Sequence, residues 1–525
     1  MDSTLDFLLK AQEQAPELSA AWGDTAHAGA SMIRKQLTNW LPSRLPADVD
    51  LLPDLPALVA RARDLNRNNG VAAGTLQTLQ DNVAGHGLRL AAMPDYRALG
   101  KDIQWAEDWS RNVEALWRTY SESTACDVAN ELNFASMTQL VFRSAIENGE
   151  ALALALWQPR KDSQFNTCFQ LIEPDRLSNP YGMLPTATMI GGIEKDSFGR
   201  PLAYYIQDQP FWGGFWTLQL NVRWTRVPAE TPWGRKRVLH MHSIERVGQT
   251  RGRPLLTPVI EQFRMLDSYQ RTELQSAIVN ALIAGIIETP LDAQSLGQLV
   301  GQDPSAYLIK KNEYRVSLEG GSVIPLYPGD KMTPFVPARP TNTFPSFVEA
   351  LSRQIGTALG LPYELALKDF SKTNYSSARA ALLEAWRFFT VRRAWLATYW
   401  ATPCYKLWLE EAVNAGLVDA PDYYANQALY SRARWIGMGR GYIDPTKEAE
   451  AAQLRLQGHM STLELECAEQ GLDWQEVMEQ QALEQRRQTE LGLIEVDLSQ
   501  APVSKEKPVP EGGSPSEPAT PGGGQ

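Results

Sequence analysis

The sequence predicts an α+β fold, predominantly α, on three observations. Long stretches with apolar residues at helical spacing flank a middle segment, about 150 to 245, in which short apolar runs alternate with Pro, Gly and Asn. The 525 residues exceed what one hydrophobic core organises, so more than one structural region is expected. Composition is that of a folded chain, 43% hydrophobic and 21% charged, which excludes global disorder.

Residues 1 to 60 carry Pro42, Pro46, Pro53 and Pro56 in mixed polarity, the pattern of an extended arm with a few helical turns. From Leu58 to Asn82 the positions Leu58, Val59, Leu65, Val71, Leu76 and Leu79 predict helices broken near Asn69-Gly70 and ended by Gly85 and Gly87. A further helix, about Ile103 to Tyr120, places Trp105, Trp109, Val113, Leu116, Trp117 and Tyr120 on one core-facing stripe. The β-like runs follow: Ala151 to Trp157, Cys168 to Ile172, Tyr204 to Ile206 and Val238 to Met241, with turns at 180 to 182 and 199 to 201. Antiparallel pairing is expected.

A long helix then runs from Pro258 to about 283, with Thr257 as its cap. Leu256, Val259, Ile260, Phe263, Leu266, Leu274, Ile278 and Leu282 form its apolar face, and Glu261, Arg264, Asp267, Arg271 and Gln275 the polar one. Residues 284 to 342, punctuated by Gly320-Gly321 and five prolines from 325 to 340, read as a small inserted module of strands and loops. A second helix, about Pro345 to Leu359, leads through Gly360-Leu361-Pro362 into the polar stretch 368 to 376, read as a loop. Ser377 to Ala415 is one very long helix, bent at Pro403 and capped by Gly416. Beyond 444, Asp444-Pro445 and the boxes at Ser461/Glu464 and Asp473/Glu476 open shorter helices. The last 25 residues hold six Pro and five Gly, the composition of a disordered tail.

Several functions are excluded. The apolar runs fall far short of the roughly 20 residues a membrane span needs. Asp2 and Asp6 stand where a secretory signal would be cationic, so no export is expected. Cys126, Cys168, Cys404 and Cys467 are scattered without CxxC spacing, which predicts reduced thiols rather than a zinc site or disulfide framework. A formal charge of −11 argues against tight gripping of nucleic acid, since phosphate binding needs clustered cations. It leaves transient DNA contact open.

No GxxxxGK[ST], HExxH or GxSxG motif is present, so neither an NTP-driven motor nor a hydrolase of those classes is expected, and no cofactor. His240 and His242 share a strand face but lack a third ligand nearby. Gly437 to Gly441 resembles a phosphate loop, yet Tyr442 and the missing βαβ context favour a turn. Arg387, Arg392 and Arg393 face either DNA and acidic neighbours or, twice as readily, solvent and another subunit. The eight acidic residues between 461 and 490 read as a solvated face.

A series of motifs in fixed order resembles the lambda-type portal family of tailed phages: Arg61-Ala-Arg-Asp64, Asn68-Asn69-Gly70, Asp81-Asn82, Asn148-Gly149-Glu150-Ala151, Leu171-Ile-Glu-Pro-Asp-Arg176, Gly248-Gln249-Thr-Arg251-Gly252, Leu274-Gln275-Ser276-Ala277, Pro328-Gly329-Asp330, Asn374-Tyr375-Ser376-Ser377-Ala378-Arg379 and Ile443-Asp444-Pro445. Each is weak alone, and the order is specific. The resemblance implies a portal fold: N-terminal arm 1 to 60, wing 61 to 256, stem helices 257 to 283 and 343 to 361, clip 284 to 342, tunnel loop 362 to 376, long helix and return to the wing 377 to 444, crown helices 445 to 497 and a tail 498 to 525. It implies a dodecameric ring at the capsid vertex of a virion, made in the host cytoplasm and passing DNA during packaging and ejection. Its partners would be the terminase large subunit, the major capsid protein and head-completion or adaptor proteins. Lys368, Lys372, Asn374 and Tyr375 become candidates for transient contact with duplex DNA, although a mobile loop without a DNA role fits them nearly as well. Lys310, Lys311, Glu313 and Arg315 become docking candidates on the clip. Two other classes remain in competition: an adaptor or scaffold of the virion, and an α+β enzyme acting on nucleotides.

Overall fold

The computed structural model describes residues 30, 35–37, 39–161, 163–208, 223–282, 286–288, 331–333, 344–439, 441 and 444–492. The chain divides into two units, one up to Thr446 and one from Lys447. The last part of the expected arm is helical and packs into the first unit. In α1 (Ala47–Leu51) Asp48 is buried, its carboxylate accepting from the Thr250 backbone N–H at 2.7 Å.

Helices α2 (Leu55–Asn68) and α3 (Gly70–Val83) part where the sequence places the break. Asn69 leaves helical geometry at φ −116°, and its side chain accepts from the Ala72 N–H at 3.0 Å, satisfying a donor at the start of α3. Strand β1 (Arg89–Ala92) follows, then α4 (Ile103–Glu122), capped by Asp102 and burying Trp109, Val113, Trp117 and Tyr120. Helix α5 (Phe134–Asn148) was not anticipated, although Asn133 caps it and Phe134, Met137, Val141 and Phe142 form a regular buried stripe.

The middle segment is antiparallel, as expected. β2 (Glu150–Trp157) pairs with β3 (Thr167–Ile172) on one side. The short strands β4 (Met189–Ile190) and β5 (Ile193–Lys195) join β6 (Pro201–Gln207) and β7 (Trp224–Pro228) in a four-stranded sheet. β8 (Val238–His242) takes the other side of β2. The alternation in β2 explains its continuous apolar run: Ala151 and Ala153 face the main core, while Leu152 joins Ile172, Ile193, Tyr204, Ile206 and Val238 in a smaller core between the sheets.

Thr257 does not cap the next helix. Its hydroxyl donates back to the Pro254 carbonyl at 2.7 Å, and a 3₁₀ turn, Thr257–Val259, leads into α6 (Ile260–Leu282), about 35 Å long at 1.5 Å per residue. Val259, Phe263 and Leu266 are buried, but on the same face Leu274 and Ile278 are 64% and 52% exposed. β9 (Ile286–Glu288) pairs antiparallel with β10 (Lys331–Thr333), so the insert starts and returns side by side. α7 (Phe344–Leu359) and α8 (Tyr363–Leu367) come next.

The long helix is three pieces: α9 (Tyr375–Leu396), a π segment (Ala397–Ala401) and α10 (Thr402–Asn414). The irregularity lies just before Pro403, which has no N–H for the helical ladder. Past α10, Leu417 N donates to Ala412 O and Gly416 N to Val413 O, the paired bonds of a left-handed helix stop, with Gly416 at φ 72°. α11 (Tyr423–Tyr430) and β11 (Ala433–Ile436) close the unit, β11 pairing with β1. Its core is aromatic: Trp117 meets Phe134, Tyr405 and Trp408 edge-on, and Phe134 stacks on Trp400.

The C-terminal helices are α12 (Pro445–Gln457), α13 (Leu463–Glu469) and α14 (Trp474–Leu491). Asp473 caps α14 as expected. For α13 the cap is Thr462, accepting from the Leu465 N–H, rather than Ser461. No helix among the described residues is long and apolar enough to cross a membrane.

Candidate functional site

Motif residues scattered from Arg63 to Gly252 meet at one place, where β2 begins and the chain turns toward α6. Glu150 is buried. Arg251 donates to both its oxygens from Nε, at 2.7 and 2.9 Å, and again from Nη2. Its remaining donors reach the carbonyls of Leu177, Gly191 and Pro174, so the guanidinium ties four chain segments together. His240, on the same sheet face, approaches Glu150 through Nε2 at 2.8 Å. Burial by itself pushes the Glu150 carboxyl up, but Arg251 and His240 more than offset this and hold it well below the usual carboxylate range.

Backbone contact fixes the glycines. Gly149 sits at φ 92°, and a Cβ on Gly252 would lie 1.9 Å from the Gly149 carbonyl oxygen. Just outside, Arg63 donates to Asn148 Oδ1 at 2.8 Å, to Asp175 at 2.6 Å and to Glu173. The arrangement is a clasp: it holds the base of α6 to the sheets of the middle segment. The sequence motifs contain Arg63, Glu150 and Arg251, but a residue's partner a hundred positions away has no local signal.

The two histidines of β8, which lack a third ligand in the sequence, have a structural use. His240 is engaged by Glu150 and stacks on His242 with ring centroids 4.4 Å apart. Burial, then the neighbouring His240, pushes His242 down to about 3. Among the described residues no group of three or more His, Cys, Asp or Glu is placed to hold a metal ion.

The loop at 362 to 376 is more ordered than the sequence implies. α8 occupies its first half and stops at Lys368, which adopts the left-handed conformation at φ 56° with an exposed side chain. Asp369 accepts from the Ser371 N–H at 3.0 Å. Lys372 does not reach out freely: its ammonium pairs with Glu349 of α7 at 2.8 Å, holding that carboxyl below its ordinary range. Asn374 caps α9 by accepting from the Ser377 N–H at 2.8 Å, and Tyr375 is exposed. Lys368 and Tyr375 are therefore available for contact, whereas Asn374 is occupied by the backbone. Lys310, Lys311, Glu313 and Arg315 lie outside the described residues.

Arg387, Arg392 and Arg393 of α9 separate. Arg387 is exposed beside Glu384. Arg393 points inward, donating to the carbonyls of Asn82 and Val83 at the end of α3 and lying over Trp386. A Cβ on Gly437 would meet the Arg393 side chain at 2.5 Å, which gives the first glycine of the 437 to 441 turn a packing role. Arg392 is half-buried over the ring of Phe388.

Comparison with known proteins adds the following. The family described as "Phage portal protein, lambda family" matches residues 34–393. The chain is 35% identical over 486 residues to the portal protein of Escherichia phage N15, covering 89% of this chain and 91% of that protein. It is 34% identical over 490 residues to portal protein B of Escherichia phage lambda, covering 89% and 90%. Among solved structures, the neck of a native gene transfer agent particle computed with C12 symmetry aligns at 15% identity and TM-score 0.39, over 67% of this chain and 82% of that one.

Proposed function

This chain belongs to the lambda family of phage portal proteins, and from that membership we propose that twelve copies close into a ring whose axial hole passes double-stranded DNA. As a portal protein it is a structural component of the virion, the head–tail connector, and not an enzyme.

The observation that carries the ring reading is α6. Phe263 and Leu266 in its first half are buried in their own subunit, while Leu274 and Ile278 continue the same apolar face into solvent. An apolar stripe left open on a helix asks for a cover, and the adjoining subunit of a closed ring supplies one for every copy at once. In this reading α6 and α7 are the stem, 284 to 342 is the clip, and the helices after 444 form the crown. The acidic balance suits a conduit, because each phosphate neutralised along the channel would add affinity and drag.

The energy for moving DNA comes from a separate ATPase. The clip docks the terminase large subunit and later the head-completion proteins, with Lys310, Lys311, Glu313 and Arg315 as the contact candidates. The wing meets the major capsid protein. Lys368 is the cation of the tunnel loop best placed to touch phosphate. Electron microscopy of the purified chain tests the assembly: twelvefold rings with an axial hole are expected, and monodisperse dimers would refute it.

A further inference from the structure

A pocket of about 240 Å³ lies in the first unit where α5, the β8–α6 connection, the end of α7 and α9 meet. Its lining is rich in donors. Arg253 and Arg392 contribute guanidinium groups, Trp395 an indole and Ser243 a hydroxyl, and Glu245 is the one carboxylate among the lining residues. Arg253 and Glu245 satisfy each other through two bonds of 2.9 Å, which leaves Arg392 without a carboxylate bonded to it and only the distant field of Glu245.

Arg392 is half-buried, and among the described residues its five N–H groups make no hydrogen bond and no ion pair; its guanidinium lies over the face of Phe388, and the Glu245 carboxylate acts on it only through space. One helical turn along, the Trp395 Nε1–H is buried without an acceptor. Two residues three apart on a helix share a face, so both sets of idle donors open on the same pocket. Half-burying a cation without a bonded counter-charge and burying an N–H without an acceptor are both unfavourable, and one small anion would relieve both.

We propose that this pocket binds a phosphate-sized oxyanion, held by the Arg392 guanidinium and the Trp395 indole N–H. The same chemistry has two sources, a free inorganic anion or a carboxylate presented by a second copy of the chain. The site does not depend on the ring reading, since an isolated chain carries all of its donors.

The experiment is thermal melting of the full-length protein against inorganic phosphate, with chloride at matched pH and ionic strength as reference and oligomeric state followed by mass photometry. A saturable rise in melting temperature is expected. Trp395→Phe and Arg392→Met should each weaken the apparent phosphate affinity by about tenfold or more, the scale of one charge-assisted bond. Arg392→Lys, which keeps the charge but loses the fork, should weaken it while leaving the melting temperature in chloride unchanged, so a folding defect in the methionine variant would not obscure the result. If the anion is free, phosphate stabilises without altering oligomeric state. If it is a neighbour's carboxylate, phosphate dissociates oligomers of the wild type and Arg392→Met does the same without phosphate. The proposal is overturned if wild type and variants respond alike to phosphate, as they would to a general salt effect, and assemble alike.

Discussion

Glu150 and Arg251, 101 residues apart in sequence, form a buried charge pair in which the arginine Nε donates to both carboxylate oxygens, at 2.7 and 2.9 Å. Neither charge is in contact with bulk water, so each depends on the other. Removing one partner strands its mate, a loss on the order of 3–5 kcal/mol. Arg251→Met should therefore destabilise the first unit by about that amount in urea unfolding. The double variant Glu150→Met/Arg251→Met should recover part of the loss, because no stranded charge remains. Strict additivity of the two single variants would contradict the pairing.

His242, beside this pair, makes stability pH-dependent. His242 falls from an ordinary 6.5 to about 3 in the folded chain, through burial first and then His240. Between those values the unfolded chain binds the proton that the folded chain refuses, so its contribution is complete above about 6.5 and declines as pH falls toward 3. The slope from this group approaches about 1.4 kcal/mol per pH unit. Glu150, whose folded value is depressed, acts in the same direction at lower pH: its contribution is present above its ordinary 4.5 and is lost as pH falls through the folded value. His242→Leu should flatten the stability profile between pH 6.5 and 4.5 while leaving the Glu150-dependent fall below it. An unchanged profile in that variant would show that His242 is not the group.

Two glycines of one motif should respond differently to alanine. At Gly252 the new Cβ would lie 1.9 Å from the Gly149 carbonyl oxygen, with the Gly149 carbonyl carbon at 2.5 Å and the His242 Cβ at 3.0 Å. Gly248 has φ 85° but nothing within 4 Å of its would-be Cβ. Gly252→Ala should cost more than about 3 kcal/mol or prevent soluble folding, and Gly248→Ala only the left-handed penalty of about 1–2 kcal/mol. Melting temperatures of the two variants separate these outcomes.

These residues also mark how far the sequence could be read. The helix break at Asn69, the strands β2, β3, β6 and β8, the span of α6 and the stop at Gly416 rest on local chemistry, namely a cap, apolar runs between turns, a periodicity and a left-handed glycine, and these were legible; the short β4 and β5 and the strand β7 were not. Helix α5, absent from the sequence reading, carries equally local signals in its cap Asn133 and its buried stripe. β1 is four residues long and pairs with β11 across most of the chain, so no window contains the evidence for it. The clasp is hidden for the same reason. Arg251 and Arg393 look like surface cations in sequence, and only the fold reveals that one meets a buried carboxylate and the other the carbonyl end of α3. In the segment 362 to 376, composition alone separated neither the paired Lys372 from the exposed Lys368 nor the capping Asn374 from a ligand-facing one.

That separation sets the test of the loop. Lys368 is exposed and held in a left-handed conformation, so Lys368→Gly removes the charge and relieves strain together. It should leave the melting temperature equal or higher and ring formation intact, while changing DNA packaging or retention in infected cells. Lys372→Ala instead removes the tether to Glu349 and should speed amide hydrogen exchange across 368 to 374. Normal packaging in Lys368→Gly would argue against phosphate contact by this side chain, whatever the behaviour of Lys372.

The exposed half of α6 gives the sharpest test of assembly. Leu274 and Ile278 share a face with the buried Phe263 but contribute little to the core of their own subunit, being 64% and 52% exposed. Replacing both by Glu places two charges where the ring reading puts an apolar subunit contact, and burying them there would cost several kcal/mol per ion. The folded monomer should tolerate them, since surface substitutions away from special features usually stay within about 0.5 kcal/mol. The expected result is an unchanged monomer melting temperature with loss of rings in electron microscopy. Rings of normal symmetry in Leu274→Glu/Ile278→Glu would show that this face meets solvent in the assembly, and would move the subunit contact elsewhere on the stem.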